Sequence, residues 1–311
     1  MVSIIIPYID EHDYLADALA SASGQQGVDV EIILVCNAPT VPEGYNPIPD
    51  EFKGVVFIHE PRSGSAHARN AGLHAAKGEW IQFLDVDDLL LANKIKTQLQ
   101  YPQADVVVSP HIYIFLNGKQ TPSAWAPEDI WSALLSSQLG STSSMLWRKN
   151  ALEKTGGWNA TYESNQEYEL IFRMLKAGFK IQACAENLTI VRERMSGSIT
   201  KSTKRKPNIG IELREEIWKY LAEQKLSTPG RYLAFQKYVF KNLRALYILD
   251  PKLARKMHTQ YFSGTSFMPT VGGVRLYPIL YSLFGFDLTE RMMAFYRYIR
   301  KHFIKSLPVN T

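Results

Sequence analysis

The chain reads as an α/β protein: a doubly wound, mostly parallel sheet flanked by helices, with a helical extension at its C-terminal end. Three observations predict this. Short apolar runs alternate with helix-length segments through the first 84 residues, which is the rhythm of strands joined by crossover helices. One run, Trp80-Ile81-Gln82-Phe83-Leu84, stops abruptly at Asp85, Asp87 and Asp88, as a buried strand does when it reaches the ligand-binding rim of such a sheet. From Ile211 onward the pattern turns helical.

Taken in order, Val2 to Pro7 is a buried strand closed by a proline, and Tyr14 to Ala22 is the helix after it. Val30 to Val35 is the second strand. A proline-rich loop from Ala38 to Pro49 leads to a third, Val55 to His59. The small-residue segment Arg62 to Leu73 opens a helix that returns through Lys77-Gly78-Glu79 to the acidic strand end. In Asp85-Val86-Asp87 the acids are one residue apart, so on an extended chain both side chains point the same way. Two hard anionic ligands on one side suit Mg²⁺ or Mn²⁺ carrying a substrate diphosphate. An isolated Asp-x-Asp is more often a solvated acidic turn, so its weight comes from what surrounds it.

The composition, 46% hydrophobic and 21% charged over 311 residues, is that of an ordinary globular chain. Met1 to Pro7 lacks the basic flank and apolar length of a signal peptide. The longest apolar candidate for a membrane span, Leu276 to Phe286, is short and contains Pro278. Cys36 and Cys184 form no metal or redox spacing, which fits a reducing compartment. These readings together lead to a cytoplasmic expectation. The net charge of +5 conceals an asymmetry: residues 201–311 carry 20 Lys+Arg against 7 Asp+Glu, a balance of +13, whereas residues 1–200 are at −8. A basic end on an acidic body points to an anionic surface.

Ordered motifs now make a resemblance specific. Val2-Ser3-Ile4-Ile5-Ile6-Pro7, Glu31-Ile32-Ile33-Leu34-Val35, Ala68-Arg69-Asn70-Ala71-Gly72 and Gly78 through Asp88 are followed by Ser141 through Arg148, Gly156-Gly157-Trp158-Asn159 and Gln166-Glu167-Tyr168-Glu169. This series resembles the family 2 glycosyltransferases of bacterial type, over about the first two-thirds of the chain. The resemblance implies the GT-A fold, an inverting reaction, a nucleotide-diphosphate sugar donor (a UDP-sugar first) and a Mg²⁺ or Mn²⁺ cofactor. It divides the chain into a nucleotide-sugar-binding and catalytic domain, 1–205, and a basic, mainly helical region, 206–311.

The resemblance also assigns roles. Asp87 is the metal ligand. Pro7, Tyr8, Asp10, Asn37, Arg69, Asp85 and Val86 contact the donor, with Arg62 a lesser candidate. Trp158 and Gln166 contact the acceptor. The family places Glu-Asp where this chain has Gln166-Glu167, so Glu167 becomes the general base, one methylene longer than usual. The bland alternative leaves Glu163, Glu167 and Glu169 on a solvated helix face, with Glu169 the most structural of the three. Asp88 reads as the N-cap of a following helix, ahead of the alternative of an acid that supports the metal ligand from behind, and His67 and His74 read as ordinary packing or surface residues.

Three departures stand against the family's pattern. The second strand ends in Cys36-Asn37-Ala38-Pro39 rather than in acids, which opens the identity of the nucleobase. The first strand's aromatic, Tyr8, is displaced by one position. Met195 occupies a common histidine position, with Arg192, Arg194, Lys201 and Lys204 as substitute cations; Met195 to Pro207 reads as a lid or a linker.

In the basic third, helices are expected over Ile211–Lys225, Arg231–Leu249 and Leu288–Ile304, the last two separated by Gly264, Pro269, Gly272 and Gly273. Met292, Phe295, Tyr296, Ile299 and Phe303 share one helical face, and Arg297, Lys301 and Lys305 another. Such a helix either lies on anionic lipid or packs its stripe inward. No nucleic-acid module is recognisable. The reading is therefore a glycosyltransferase for a glycan or lipid-linked glycan acceptor, in cell-surface polysaccharide assembly, cytoplasmic or peripheral on the membrane's cytoplasmic face. The alternative is a non-catalytic nucleotide-sugar- or membrane-binding protein on the same scaffold. A nucleotidyltransferase would need a Gly-rich loop after the first strand, and none stands between Pro7 and Tyr14.

Overall fold

The structure, a computed structural model, describes residues 1–10, 12–125, 128–194, 207–271 and 274–303, without side chains from 300 onward. The chain divides into two compact units, Met1–Arg205 and Lys206–Thr311.

In the first unit, β1 (Val2–Tyr8) alternates its side chains between two buried faces. Val2, Ile4, Ile6 and Tyr8 meet Leu15, Ala18, Leu19 and Ala22 of α1 (His12–Ser23). Parallel β2 (Val30–Cys36) follows, then β3 (Val56–His59). On the opposite face lies α2 (Ser65–Ala75), so close that a Cβ on Gly72 would fall 2.4 Å from the Ile5 side chain. Helices on both faces of one strand make the doubly wound arrangement. β4 (Trp80–Phe83) then pairs in parallel with β1.

The remaining elements are short: β5 (Leu89–Leu90), α3 (Lys94–Gln98), β6 (Val106–Val108), β7 (Ile112–Ile114), β8 (Gln120–Pro122), α4 (Ile130–Ser136), β9 (Leu146–Arg148), α5 (Lys149–Thr155), α6 (Gln166–Lys176), β10 (Ile181–Ala183) and β11 (Thr189–Arg192). The main sheet runs β10-β6-β9-β4-β1-β2-β3, with only β9 antiparallel to its neighbours. This is the mostly parallel sheet that the alternation predicts. A second sheet, β5-β11-β7-β8, was not expected, because strands of two to four residues carry no periodicity.

The second unit contains α7 (Pro207–Glu223), α8 (Pro229–Leu249), α9 (Pro251–Phe262) and α10 (Tyr277–Phe303). Asp250 ends α8 and caps α9, its carboxylate accepting from the Leu253 amide at 2.9 Å. The sequence predicts no helix between Leu249 and Leu288, where α9 lies. It also begins the last helix at Leu288. The helix starts eleven residues earlier and tolerates Pro278 in its first turn, where no intrahelical N–H is required. Gly285 breaks it with φ 67°. No described helix is long and apolar enough to cross a membrane.

Phe240 centres this unit's core, with Phe262, Phe267, Tyr277, Tyr281 and Phe286 within 6.0 Å of its ring. His258 stacks on Phe286 at 4.4 Å and shares a 2.9 Å hydrogen bond with Tyr281. Burial lowers the His258 pKa to about 4. Between the ordinary value near 6.5 and about 4, the unfolded chain binds the proton better, so stability falls as pH drops through that window. Melting curves at pH 7 and pH 5 should therefore differ less for His258→Phe than for the parent chain. An unchanged difference would show that His258 does not titrate on unfolding.

Candidate active site

The strands β1, β2 and β4 are parallel and in register, so Tyr8, Cys36 and Phe83 reach one edge of the sheet. Leu84 extends β4 by one bond, donating to Ile5 O at 2.9 Å. The chain then turns: Asp88 N donates to Asp85 O at 2.9 Å, and Asp85 N to Ser143 Oγ at 3.1 Å. Val86 is buried beneath this turn. The extended geometry assumed for Asp85-Val86-Asp87 is thus replaced by a tight turn, and the two carboxylates take different partners.

Asp85 Oδ1 accepts from Arg69 Nη2 at 2.7 Å while its side chain stays 38% exposed. Asp87 Oδ2 lies 3.5 Å from Arg194 Nε. Asp88 folds inward, accepts from Ser143 Oγ at 2.6 Å and precedes β5. It does not cap a helix, as the sequence suggested, because none begins until Lys94. Burial, and then the charges of Asp85 and Asp87, hold its carboxyl well above the usual range.

Arg69 is the hub. It is 6% exposed, one and a quarter turns into α2. Besides Asp85 it bonds Gln166 Oε1 at 2.9 Å through Nη1, and its guanidinium lies 4.6 Å over the Trp158 ring. Its planar fork suits this divided task, which a lysine could not perform. Its Nε is buried with no hydrogen-bond partner among the described residues.

Gln166 opens α6 from Asn165, whose φ of 58° sets the turn. Its amide is spent internally: Oε1 takes Arg69 and Ser65, and Nε2 donates to Tyr162 O at 2.6 Å. Glu167, half-buried in the first turn, is next to this anchored residue and near the positive end of the helix dipole. Glu169 is structural: both its oxygens hold Arg173, at 2.6 and 2.8 Å. Glu163 is exposed.

Two expected contact residues are turned inward. Trp158 is 2% exposed and packs edge-on to Phe83 at 5.0 Å, so its ring is a floor under Arg69 rather than an acceptor surface. Asn37 is 1% exposed. Its Nδ2 donates to Glu60 O and Arg62 O at 2.9 and 2.6 Å, and its Oδ1 accepts from Gly64 N at 2.8 Å. It shapes the loop before α2 instead of presenting an edge to a base. Tyr8 is buried as well, 3.1 Å from Tyr45 through the two hydroxyls, whereas Pro7 is half-buried and Asp10 exposed. Arg62 turns to Glu60, whose carboxyl its guanidinium brings down to about 2.

Asn70 received no role from the sequence, although it lies inside a quoted motif. Its side chain bonds both backbone groups of Trp158 at 2.8 Å, tying α2 to the segment before α6. Arg192, at the end of β11, donates to Asp87 O and to Asp17, each at 2.6 Å, and covers the Tyr14 ring at 5.0 Å. Its Nη2 is buried with no hydrogen-bond partner among the described residues. Met195, Lys201 and Lys204, with the rest of the anticipated lid up to 206, lie outside the described residues.

Among the described residues no cluster of three or more His, Cys, Asp or Glu could hold a metal by itself. One or two carboxylates completed by substrate phosphates is, however, how Mg²⁺ is commonly held. Asp87, with Asp85 two residues away, would supply such donors, and the unused Arg192 N–H would suit an accompanying anion.

Residues 3–160 match the family model described as Glycosyl transferase family 2. The chain is similar to an uncharacterized glycosyltransferase of Haemophilus influenzae, 26% identical over 188 residues that make up 57% of this chain and 62% of that protein. It is also similar to the putative teichuronic acid biosynthesis glycosyltransferase TuaG of Bacillus subtilis, 28% identical over 220 residues, 66% of this chain and 85% of that one. The matched part spans less than two thirds of the Haemophilus protein. In fold, the chain resembles S. aureus TarS 1-349 solved with UDP-GlcNAc, at TM-score 0.63 and 16% identity, covering 96% of this chain and 91% of that one.

Proposed function

The chain belongs to glycosyl transferase family 2, and from that premise we propose an inverting, metal-dependent enzyme moving a sugar from a nucleoside-diphosphate donor to a hydroxyl of a glycan or lipid-linked glycan. The observation that supports this most is the Arg69 guanidinium, bonded at once to Asp85 and to Gln166. One side chain spans from the acidic turn to the start of α6, which supports a reading in which Asp87 and Glu167, the neighbours of the two residues it holds, work on one substrate.

Displacement at an anomeric carbon must neutralise a departing diphosphate on one face and remove a proton on the other. A divalent ion held by Asp87 supplies Lewis-acid neutralisation of the diphosphate. Arg192 and Arg194 add positive charge next to that carboxylate, replacing electrostatically what a histidine provides elsewhere. Asp85, fixed by Arg69 at one oxygen, offers the other to the ribose or donor sugar. Glu167 accepts the acceptor hydroxyl's proton, and attack from the face opposite the leaving group inverts the centre. Gln166 and Trp158 then act by positioning Glu167 and Arg69, not by touching the acceptor. Acceptors in cell-surface polysaccharide assembly would place the work at the cytoplasmic face of a membrane.

The test is a thermal-shift panel of nucleoside diphosphates with Mn²⁺, followed by consumption of the matching nucleotide sugars. UDP comes first, because TarS was solved with UDP as well as with UDP-GlcNAc. A ligand that binds only the folded chain raises its midpoint, and a chelator should remove both the shift and turnover. No shift with any nucleotide and metal would overturn the proposal. A shift without turnover on any acceptor or water would favour the binding-protein alternative.

A further inference from the structure

The outer face of α10 takes no part in the chemistry above. Its inner face carries Tyr277, Phe286, Thr289, Glu290 and Met293, all buried. The side turned away presents Leu276, Ile279 and Leu283 before the break at Gly285, and Leu288, Met292 and Phe295 after it. The spacings within the two groups, three and four residues then four and three, keep each group on one helical face. Leu283 is 68% and Phe295 66% exposed. Single exposed apolar residues need no explanation, but two rows of large ones, one on each side of the Gly285 break, mark an interaction surface.

We propose that this face seats the C-terminal unit on an anionic lipid surface, lying in the interface and not crossing it. Charge selects the occupant. Residues 201–311 carry a balance of +13; Arg291 and Arg297 are exposed on this helix, paired with Asp287 and Glu290, and Arg275 is exposed just before it. Arg255 and Lys256 add exposed cations from α9. A second copy docking through the same face would bring two units together that each carry 17 Lys+Arg against 7 Asp+Glu over Lys206–Thr311, a balance of +10, whereas acidic headgroups would neutralise them. The exposed rings of Tyr296 and Tyr298 are amphipathic and suit the headgroup boundary. Apolar residues on one side with cations around them is the composition of an interfacial helix. The inference goes beyond the transferase proposal and needs no residue of its cleft.

The full chain is sedimented with vesicles of phosphatidylcholine alone and of phosphatidylcholine mixed with phosphatidylglycerol. Binding should require the anionic lipid, weaken with added salt, and fall about tenfold or more in Leu283→Glu/Phe295→Glu. Both positions are exposed, so the variant should melt like the parent and hydrolyse the donor sugar in solution at the parent's rate. Absence of parent binding, equal binding to neutral vesicles, or an unaffected variant would overturn the proposal. So would light scattering that shows a parent dimer abolished by the same substitutions, which would give the face to a second copy. A failed vesicle experiment with intact hydrolysis leaves the transferase proposal standing.

Discussion

Glu167→Gln should reduce turnover by about 10²–10⁴-fold, the usual contribution of a positioned base, while leaving the melting temperature and the donor KM nearly unchanged. The backbone around residue 167 is held by its neighbour: Gln166 is fixed by Arg69, Ser65 and Tyr162 O. Replacing a carboxylate by an amide of the same shape removes the proton acceptor while keeping the side chain's volume and its capacity to hydrogen-bond. The contrasting substitution two residues on makes the argument specific. Glu169→Gln loses one of two charge-assisted bonds to Arg173, which also braces Thr155 O and Gly157 O. A buried charged hydrogen bond of that kind is worth about 1.5–3 kcal/mol, so Glu169→Gln should melt earlier and keep most of its turnover. The two glutamates lie in one helical turn with the same formal charge, and kinetics and melting together separate base from brace. If Glu167→Gln retains full turnover, the base is elsewhere.

The difference between those two residues also marks where reading the sequence succeeded. Strands with long apolar runs, Val2–Pro7 and Val30–Val35, were legible because burial on both faces leaves few polar positions, here Ser3 and Glu31 alone. Glu169 was legible as structural from the apolar residues around it. The acidic turn was legible as a rim, but not its geometry: nothing in Asp85-Val86-Asp87-Asp88 announces that Asp88 turns inward to Ser143, 55 residues away. Asn37 was misread for a related reason. An asparagine after a strand has the same donors and acceptor whether it faces a ligand or a loop, and only the fold brings Glu60 O, Arg62 O and Gly64 N to it. Trp158 belonged to a quoted motif, yet its ring turned out to support Arg69 from below. Periodicity reports which face is buried; it does not report which polar atoms the fold has already spent.

Asp87→Ala should be the most damaging single change to chemistry with the least effect on folding. The turn that carries it is closed by backbone and apolar contacts. Asp88 N to Asp85 O closes the turn, Val86 anchors it, and Arg192 Nε holds residue 87 through its carbonyl at 2.6 Å. What disappears is the negative charge that would hold the cation of a metal–diphosphate pair. Lewis-acid stabilisation of a departing phosphate is worth several kcal/mol, so turnover should fall by about a thousandfold or more. The parent enzyme assayed with a chelator should drop to the same residual rate as the variant, and adding Mn²⁺ should restore the parent alone. Asp85→Ala supplies the control, because its effect should appear first in folding. It strips the nearly buried Arg69 guanidinium of its ionic partner, and removing one member of such a pair leaves an uncompensated charge. Asp85→Ala should therefore melt earlier than Asp87→Ala while still responding to Mn²⁺. Equal Mn²⁺ activation of parent and Asp87→Ala would place the cation on another group.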